Sequence, residues 1–270
     1  MTSTSGSTQR SRPVSTAAVV THGRVDVNDA VDRVRAVAER AGVQLVEEPR
    51  EAELVVALGG DGTMLRTLAE LLGSGVPVIG VNFGRVGFLA SISPGDLERG
   101  LERVFEGEYV AVELPTLEVR LDGERHVAVN DVVVTSSTLG RMVELGWAVG
   151  GEDLGTVPCD GMICATPTGS TAYNLSNGGP VLVRGLDALA VTFIAPHSLH
   201  ARPLVVPRGL AVTVRNVTLD VACTVLVDGH RVAGIEPGGE VSISLSEQRS
   251  LLATLPETTF FSRYGETFSS

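Results

Sequence analysis

The sequence predicts an α/β N-terminal domain with a parallel sheet, followed by a mostly β, sandwich-like C-terminal domain. Two observations carry this. Strand and helix patterns alternate from residue 16 to 91, and helical periodicity nearly vanishes after the helix that follows Pro94. A third observation places the chemistry. An apolar strand at 54–58 runs into Gly59-Gly60-Asp61-Gly62-Thr63, and a helical pattern begins at once at Met64. Sheets of this kind bind ligands at the carboxyl ends of their strands, where this turn lies.

Taken in order, residues 17–20 form a short strand, and residues 26–41 read as a helix. Val27, Val31, Val34 and Ala38 fall on one face of that helix, and Gly42 stops it. Strands are expected at 43–46, 54–58 and 76–81, and a further helix at 96–105. This is the succession of a Rossmann-like sheet. Beyond it, Val-, Leu- and Thr-rich runs recur at 116–121, 126–135, 142–149, 190–194, 211–214, 223–227 and 241–245. Turn signals such as Asp122-Gly123, Asp228-Gly229 and Pro237-Gly238-Gly239 separate them. The expected plan is a disordered, Ser/Thr-rich tail at 1–15, an α/β domain at 16–93 and a β-rich domain at 94–254. Phe260, Phe261, Tyr264 and Phe268, within 255–270, are expected to cross back onto the first domain.

Composition removes several classes of function. A formal charge of −11 argues against nucleic acid and against an anionic membrane surface. No apolar run approaches the ~20 residues of a spanning helix, and the N-terminal residues lack the apolar core of a secretory signal. Cys159, Cys164 and Cys223 have no metal-like spacing and suit reduced thiols in a cytoplasm. His22, His126, His197, His200 and His230 show no ligand spacing either, so no protein-built metal site is expected. The chain contains no lysine, all 21 of its basic residues being arginine. P-loop NTPases, protein kinases and pyridoxal enzymes each need a lysine and are set aside. Any phosphate must then be held by backbone N–H groups, arginine or a metal ion. A Rossmann dehydrogenase would need Gly-x-Gly-x-x-Gly after the first strand, and none is there.

Glycines at a strand-to-helix turn let phosphate or sugar approach the bare backbone beside the N–H groups of the helix start. A carboxylate such as Asp61 suits a metal-bound phosphate, or a hydroxyl about to lose its proton. A second polar stretch covers residues 160–180 and includes Thr166-Pro167-Thr168-Gly169-Ser170-Thr171-Ala172-Tyr173-Asn174-Leu175-Ser176 and then Gly178-Gly179-Pro180. The hydroxyls at 166, 168, 170 and 171 and the glycines at 169, 178 and 179 suit a polar ligand, and Tyr173 suits either a stacked base or packing against the core. Asn130 and Asp131, set in the Val-rich run 127–134, need partners, since unpaired polar burial costs roughly 1–3 kcal/mol.

Gly59-Gly60-Asp61-Gly62-Thr63 resembles the motif shared by NAD kinases, diacylglycerol kinases and 6-phosphofructokinases, which lack a P-loop. Thr-Pro-Thr-Gly-Ser-Thr-Ala-Tyr at 166–173, followed by Gly-Gly-Pro, is close to the signature of NAD kinases alone. Asn130-Asp131, the glycine-rich segment 80–89, and the stretches 195–199 and 202–204 resemble further blocks of that family in the right order.

The resemblance implies phosphorylation of the 2′-hydroxyl of the adenosine ribose of NAD, giving NADP. ATP or polyphosphate would be the donor, with Mg²⁺ or another divalent metal carried by its phosphates. It implies Asp61 as catalytic base and Gly59, Gly60, Gly62 and Arg85 at the donor phosphates. The NAD contacts would come from Gly62, Phe88, Asn130, Asp131, Arg141, Asp160, Thr168, Thr171, Ala172, Tyr173, Asn174, Leu175, Ser176, Ala195 and His230. It also implies a homodimer or homotetramer. Two other readings stand beside it: a lipid or sugar kinase sharing only the glycine turn, and a non-catalytic NAD-binding sensor. Pro158 stands where some members hold an arginine, which leaves NAD-versus-NADH choice open.

Overall fold

The computed structural model describes residues 7–10, 12–21, 28–84, 87–121 and 123–268, which gather into two compact units. Unit 1 comprises Met1–Leu114 and Arg249–Ser270, and unit 2 comprises Pro115–Gln248. Residues 94–114 therefore belong with the first unit, not with the second as the boundary at 94 would have them. The helix Leu97–Phe105 buries Leu101 and Val104 in the unit 1 core, which is what holds them there.

Unit 1 is built on a parallel sheet. Its strands lie in the order Gln44–Leu45, Thr16–Thr21, Leu54–Gly59 and Val78–Asn82. The end of Glu240–Thr254 joins them, Leu252 pairing parallel with Val78. Leu54–Gly59 is buried at every position, as a parallel strand covered on both faces must be. Leu54, Val56 and Leu58 share one core cluster with Val34 and Val37 of Asn28–Ala41 and with Leu101 and Val104 of Leu97–Phe105. The two helices are also tied by charge. Arg33 donates to both carboxylate oxygens of Glu98 at 2.6 and 2.7 Å, and so holds that carboxyl down at about 2. The helix Asp61–Glu70 sits closely enough on the sheet that a Cβ on Gly80 would lie 2.5 Å from the Met64 sulfur.

Three expectations in this unit change. The helix expected at 26–41 is described from Asn28, and residues 22–27, His22 among them, lie outside the described residues. The strand at 43–46 shrinks to Gln44–Leu45. The disordered tail gives way at Ser7–Arg10 to a strand that runs antiparallel to Tyr109–Leu121, Ser7 opposite Val112. Main-chain hydrogen bonding needs no apolar side chains, so a Ser/Thr-rich composition hides it.

Unit 2 is a sandwich of antiparallel strands. One sheet places Glu152–Cys159, Val143–Val149, Val212–Asn216 and Glu240–Thr254 side by side. The other runs Leu204–Pro207, Ala188–Ile194, Gly161–Ala165, Asp131–Ser136, Cys223–Val227 and His230–Ile235. Both sheets send alternate residues into one core. Val143, Leu145, Val212 and Val214 come from the first, and Val132, Val134, Met162, Val191 and Phe193 from the second. Trp147 meets the Phe193 ring edge-on at 5.5 Å, joining the two layers. The strands Glu152–Cys159, Gly161–Ala165, Leu204–Pro207 and His230–Ile235 are not expected from the sequence. Cys159, Cys164 and Cys223 are unbonded and buried, and burial pushes their thiols up to about 12, 12 and 11. Among the described residues no helix is long and apolar enough to cross a membrane.

Phe193 is 4% exposed and lies where both sheets meet. Truncation to alanine should cost about 3–5 kcal/mol, read as a lower urea midpoint with the slope unchanged.

Candidate active site

The acid of unit 1 is placed by local backbone geometry. Leu54–Gly59 ends at Gly59, whose carbonyl accepts the Phe83 amide at 3.0 Å. Gly60 caps the helix Asp61–Glu70, and Thr63 lies buried within its first turn. Asp61 is thus the first residue of the helix, half-buried, with its carboxylate facing the loop 87–89. There Oδ2 accepts from Phe88 N–H at 2.8 Å and Oδ1 from Leu89 N–H at 3.2 Å. A Cβ on Gly87 would sit 2.3 Å from the carboxylate atoms, so only glycine lets the loop wrap the acid this closely.

Gly60 and Gly84 likewise approach backbone to backbone, a Cβ on Gly84 falling 3.3 Å from the Gly60 Cα. Gly62 is exposed with open space around it. Phe88 contributes its amide to Asp61 and packs its ring against Phe260 and Phe268, at 6.1 and 5.9 Å between centroids. Arg263 donates to the Ala90 carbonyl at 2.8 Å from the same C-terminal helix, Phe260–Phe268. Arg85 lies outside the described residues.

In unit 2 the candidate residues converge on a bend. The Val-rich run at 127–134 is not one strand. It breaks at 129–130 between Glu124–Ala128 and Asp131–Ser136. The reason is the Asp228 carboxylate, which accepts from the amides of Val129 at 2.8 Å, Asn130 at 2.7 Å and Asp131 at 3.1 Å. From the other side Thr166 donates its amide to the Asn130 carbonyl at 2.9 Å and its hydroxyl to the Val129 carbonyl at 2.7 Å. A Cβ on Gly169 would lie 2.1 Å from the Asn130 carbonyl oxygen.

Two polar atoms are left over. Asn130 Oδ1 and Thr168 Oγ1 are buried with no hydrogen-bond partner. Buried polar groups in folded proteins are usually satisfied, so these two, like Ser91 Oγ and Arg263 Nε in unit 1, call for an explanation. Asp131 is 7% exposed, and burial, then the charge of Asp228, pushes its carboxyl up to about 7.

The rest of the Thr-rich stretch divides in two. Asn174 is fully buried and spends its side chain within the fold, donating to the carbonyls of Ser170 and Pro180 and accepting from Thr192 at 2.7 Å. Its side chain supports the loop. Thr171 bonds the Thr168 carbonyl at 3.1 Å, while Tyr173 and Ser176 are exposed and Ala172 and Leu175 half-buried. Asp160 is exposed at the start of Gly161–Ala165, its carbonyl taking the Thr135 hydroxyl. Ala195 is exposed and adopts φ 42°, a strained value for a residue with a side chain. Arg141 pairs with Asp220 at 2.9 Å on the surface, and His230 is exposed beside the Asp228-Gly229 turn. Asp228 reads in the sequence as a turn residue, and only its position opposite Asn130-Asp131 could mark it as more.

Asp131 gives a pH test. Its carboxyl lies near 7 when folded and near 3.8 otherwise, so the folded state keeps a proton that the unfolded state loses. Stability should fall as pH rises from about 4 to 7, with a limiting slope of about 1.4 kcal/mol per pH unit. Asp131→Asn should remove most of that slope in urea melts taken across this range.

Comparison with known proteins agrees with the resemblance. The profile of the ATP-NAD kinase N-terminal domain matches residues 6–109, and that of the ATP-NAD kinase C-terminal domain matches 129–255. The NAD kinase of Heliobacterium modesticaldum is 41% identical over 234 residues, covering 85% of this chain and 83% of that protein. The NAD kinase of Thermomicrobium roseum is 35% identical over 262 residues, covering 93% and 90%. Among solved structures, an NAD kinase from Archaeoglobus fulgidus in complex with ATP superposes with a TM-score of 0.79 at 28% identity, over 94% of this chain and 99% of that one. Yeast NADH kinase complexed with NADH shares the fold, with a TM-score of 0.82 at 21% identity over 96% and 89%.

Proposed function

The chain belongs to the NAD kinase family, and from that premise we infer that it phosphorylates NAD to NADP with ATP as phosphoryl donor. The observation that supports this reading best is the pair of orphaned atoms, Asn130 Oδ1 and Thr168 Oγ1, beside the half-buried Thr171 and Ala172. They are groups that ribose hydroxyls would satisfy, and Asp131 adds a carboxyl that is part protonated near neutrality, able to donate as well as accept. Tyr173 is exposed and offers a ring face for the adenine.

Unit 1 supplies the phosphate chemistry. Asp61 takes or orients the proton of the 2′-hydroxyl, and the amides of Phe88 and Leu89 fix the carboxylate so that it does not swing. Gly60 and Gly62 put no side chain at the helix start, so donor phosphates approach its N–H groups directly, while Gly59 is buried against the Thr63 side chain and would serve them through its backbone alone. Arg85 is assigned to the same phosphates, and Arg141, Asp160, Ala195 and His230 to the dinucleotide. Among the described residues no group of three His, Cys, Asp or Glu could hold a metal ion. Asp61, a carboxylate at the side-chain-free helix start, suits a cation carried by the donor's own phosphate oxygens. Mg²⁺ bound so would neutralise charge on the transferring group. We read the enzyme as cytoplasmic and homo-oligomeric, and polyphosphate as a second candidate donor.

Asp61→Asn should lower kcat by about 10³-fold, the scale of a lost general base, while calorimetric NAD affinity stays within a few-fold. Loss of NAD affinity together with a lowered melting temperature would make Asp61 a structural clamp instead. The unmutated enzyme should make NADP from NAD, ATP and Mg²⁺, and should leave diacylglycerol and fructose 6-phosphate unphosphorylated.

A further inference from the structure

Asp228 occupies the turn between Cys223–Val227 and His230–Ile235 with φ 47°, a left-handed conformation that aspartate adopts more readily than most residues. Its amide donates to the Asp131 carbonyl at 3.0 Å, and its carboxylate accepts three successive amides, those of Val129, Asn130 and Asp131. Three consecutive N–H groups turned toward one point make a concave anion site, here filled by a side chain from 97 residues away. Because 129–130 lie outside the flanking strands, these bonds stand in for sheet pairing.

The arrangement carries an electrostatic cost. Asp228 is itself buried enough to be pushed up despite its three amide donors, and it sits against a second acid, Asp131. An asparagine in its place would offer one acceptor and aim N–H groups at N–H groups. Only a carboxylate takes all three amides. What the clamp fixes is the geometry of the two side chains that carry the orphaned oxygen and the buried acid.

We propose that Asp228 is a positioning residue for the dinucleotide, clamping the 129–131 backbone so that Asn130 and Asp131 present a preformed grip to the ribose. This rests on the reading that Asn130 and Asp131 hold that sugar. The titratable groups that act on Asp131 are the Asp228 carboxylate and the Cys164 thiol, and His230 acts on Asp228 in turn. Removing the Asp228 charge therefore also lowers the pH at which Asp131 ionises.

The test is initial-rate kinetics of the full chain with NAD and ATP varied separately. Asp228→Asn should raise KM for NAD about tenfold or more, the scale of one lost charged hydrogen bond, with KM for ATP and kcat at saturating NAD within about threefold. The pH at which KM for NAD changes should move down in the variant. In an Asn130→Ala background, Asp228→Asn should add little, since both act on the same contact. An unaltered KM for NAD, or equal losses toward both substrates, overturns the proposal. Should the variant fail to fold, hydrogen exchange on the unmutated enzyme decides. The 129–131 amides should already exchange slowly without NAD, and exchange as fast as in an open loop overturns the preformed grip. If the unmutated enzyme makes no NADP at all, the reading of the site fails, which the positioning role alone cannot cause.

Discussion

Among the described residues, the carboxylates of Asp61 and Asp228 are bonded by main-chain amides and by no cation, and the candidate residues of each unit depend on that. Asp61 is gripped by the amides of Phe88 and Leu89, and Asp228 by those of Val129, Asn130 and Asp131. In a chain without lysine the backbone is the nearest source of positive potential that needs no long, mobile side chain. An amide donor brings no rotamer entropy to be lost, so the acid it holds stays put. The same device does opposite work in the two places. At Asp61 it orients the acid itself. At Asp228 it consumes an acid to shape the backbone at 129–131.

Glycine makes this possible. Gly87 lets its loop close on Asp61, Gly84 and Gly60 let two turns pass at backbone distance, and Gly169 lets the Thr-rich segment lie on the Asn130 carbonyl. In each case the missing Cβ is what admits the contact. The sheets behind them are packed with Val and Leu, which gives the glycine loops rigid edges from which to hang. Irregular backbone on a stiff frame is a common way to place reactive groups within a fraction of an ångström.

Much of this is legible in the sequence, and the parts that are not have physical causes. The run from Glu53 to Thr63 announces strand, turn and acid because its signals are local, and Leu54–Gly59 and Asp61–Glu70 follow it closely. The alternating Val residues of 127–134 announce a strand equally well, yet the chain breaks at 129–130. The break is imposed by Asp228, nearly a hundred residues on, and no local pattern records it. The partners of Asn174 are hidden for a related reason. An amide in a polar loop looks available until Thr192 and Pro180 are folded onto it. The pairing of Ser7–Arg10 is hidden because main-chain bonding leaves no imprint on composition.

The chain order of the two units has a further consequence. Unit 2 is an insertion within unit 1, whose sheet and aromatic cover are completed only by Leu252 and by the helix Phe260–Phe268. On the ribosome, the segment bearing Asp61 emerges well over a hundred residues ahead of the Phe260 ring that backs its loop. A nascent chain therefore carries its acid long before that loop is braced, and the whole intervening sandwich can fold first. The aromatic backing of the loop that holds Asp61 is thus among the last parts of unit 1 to be laid down.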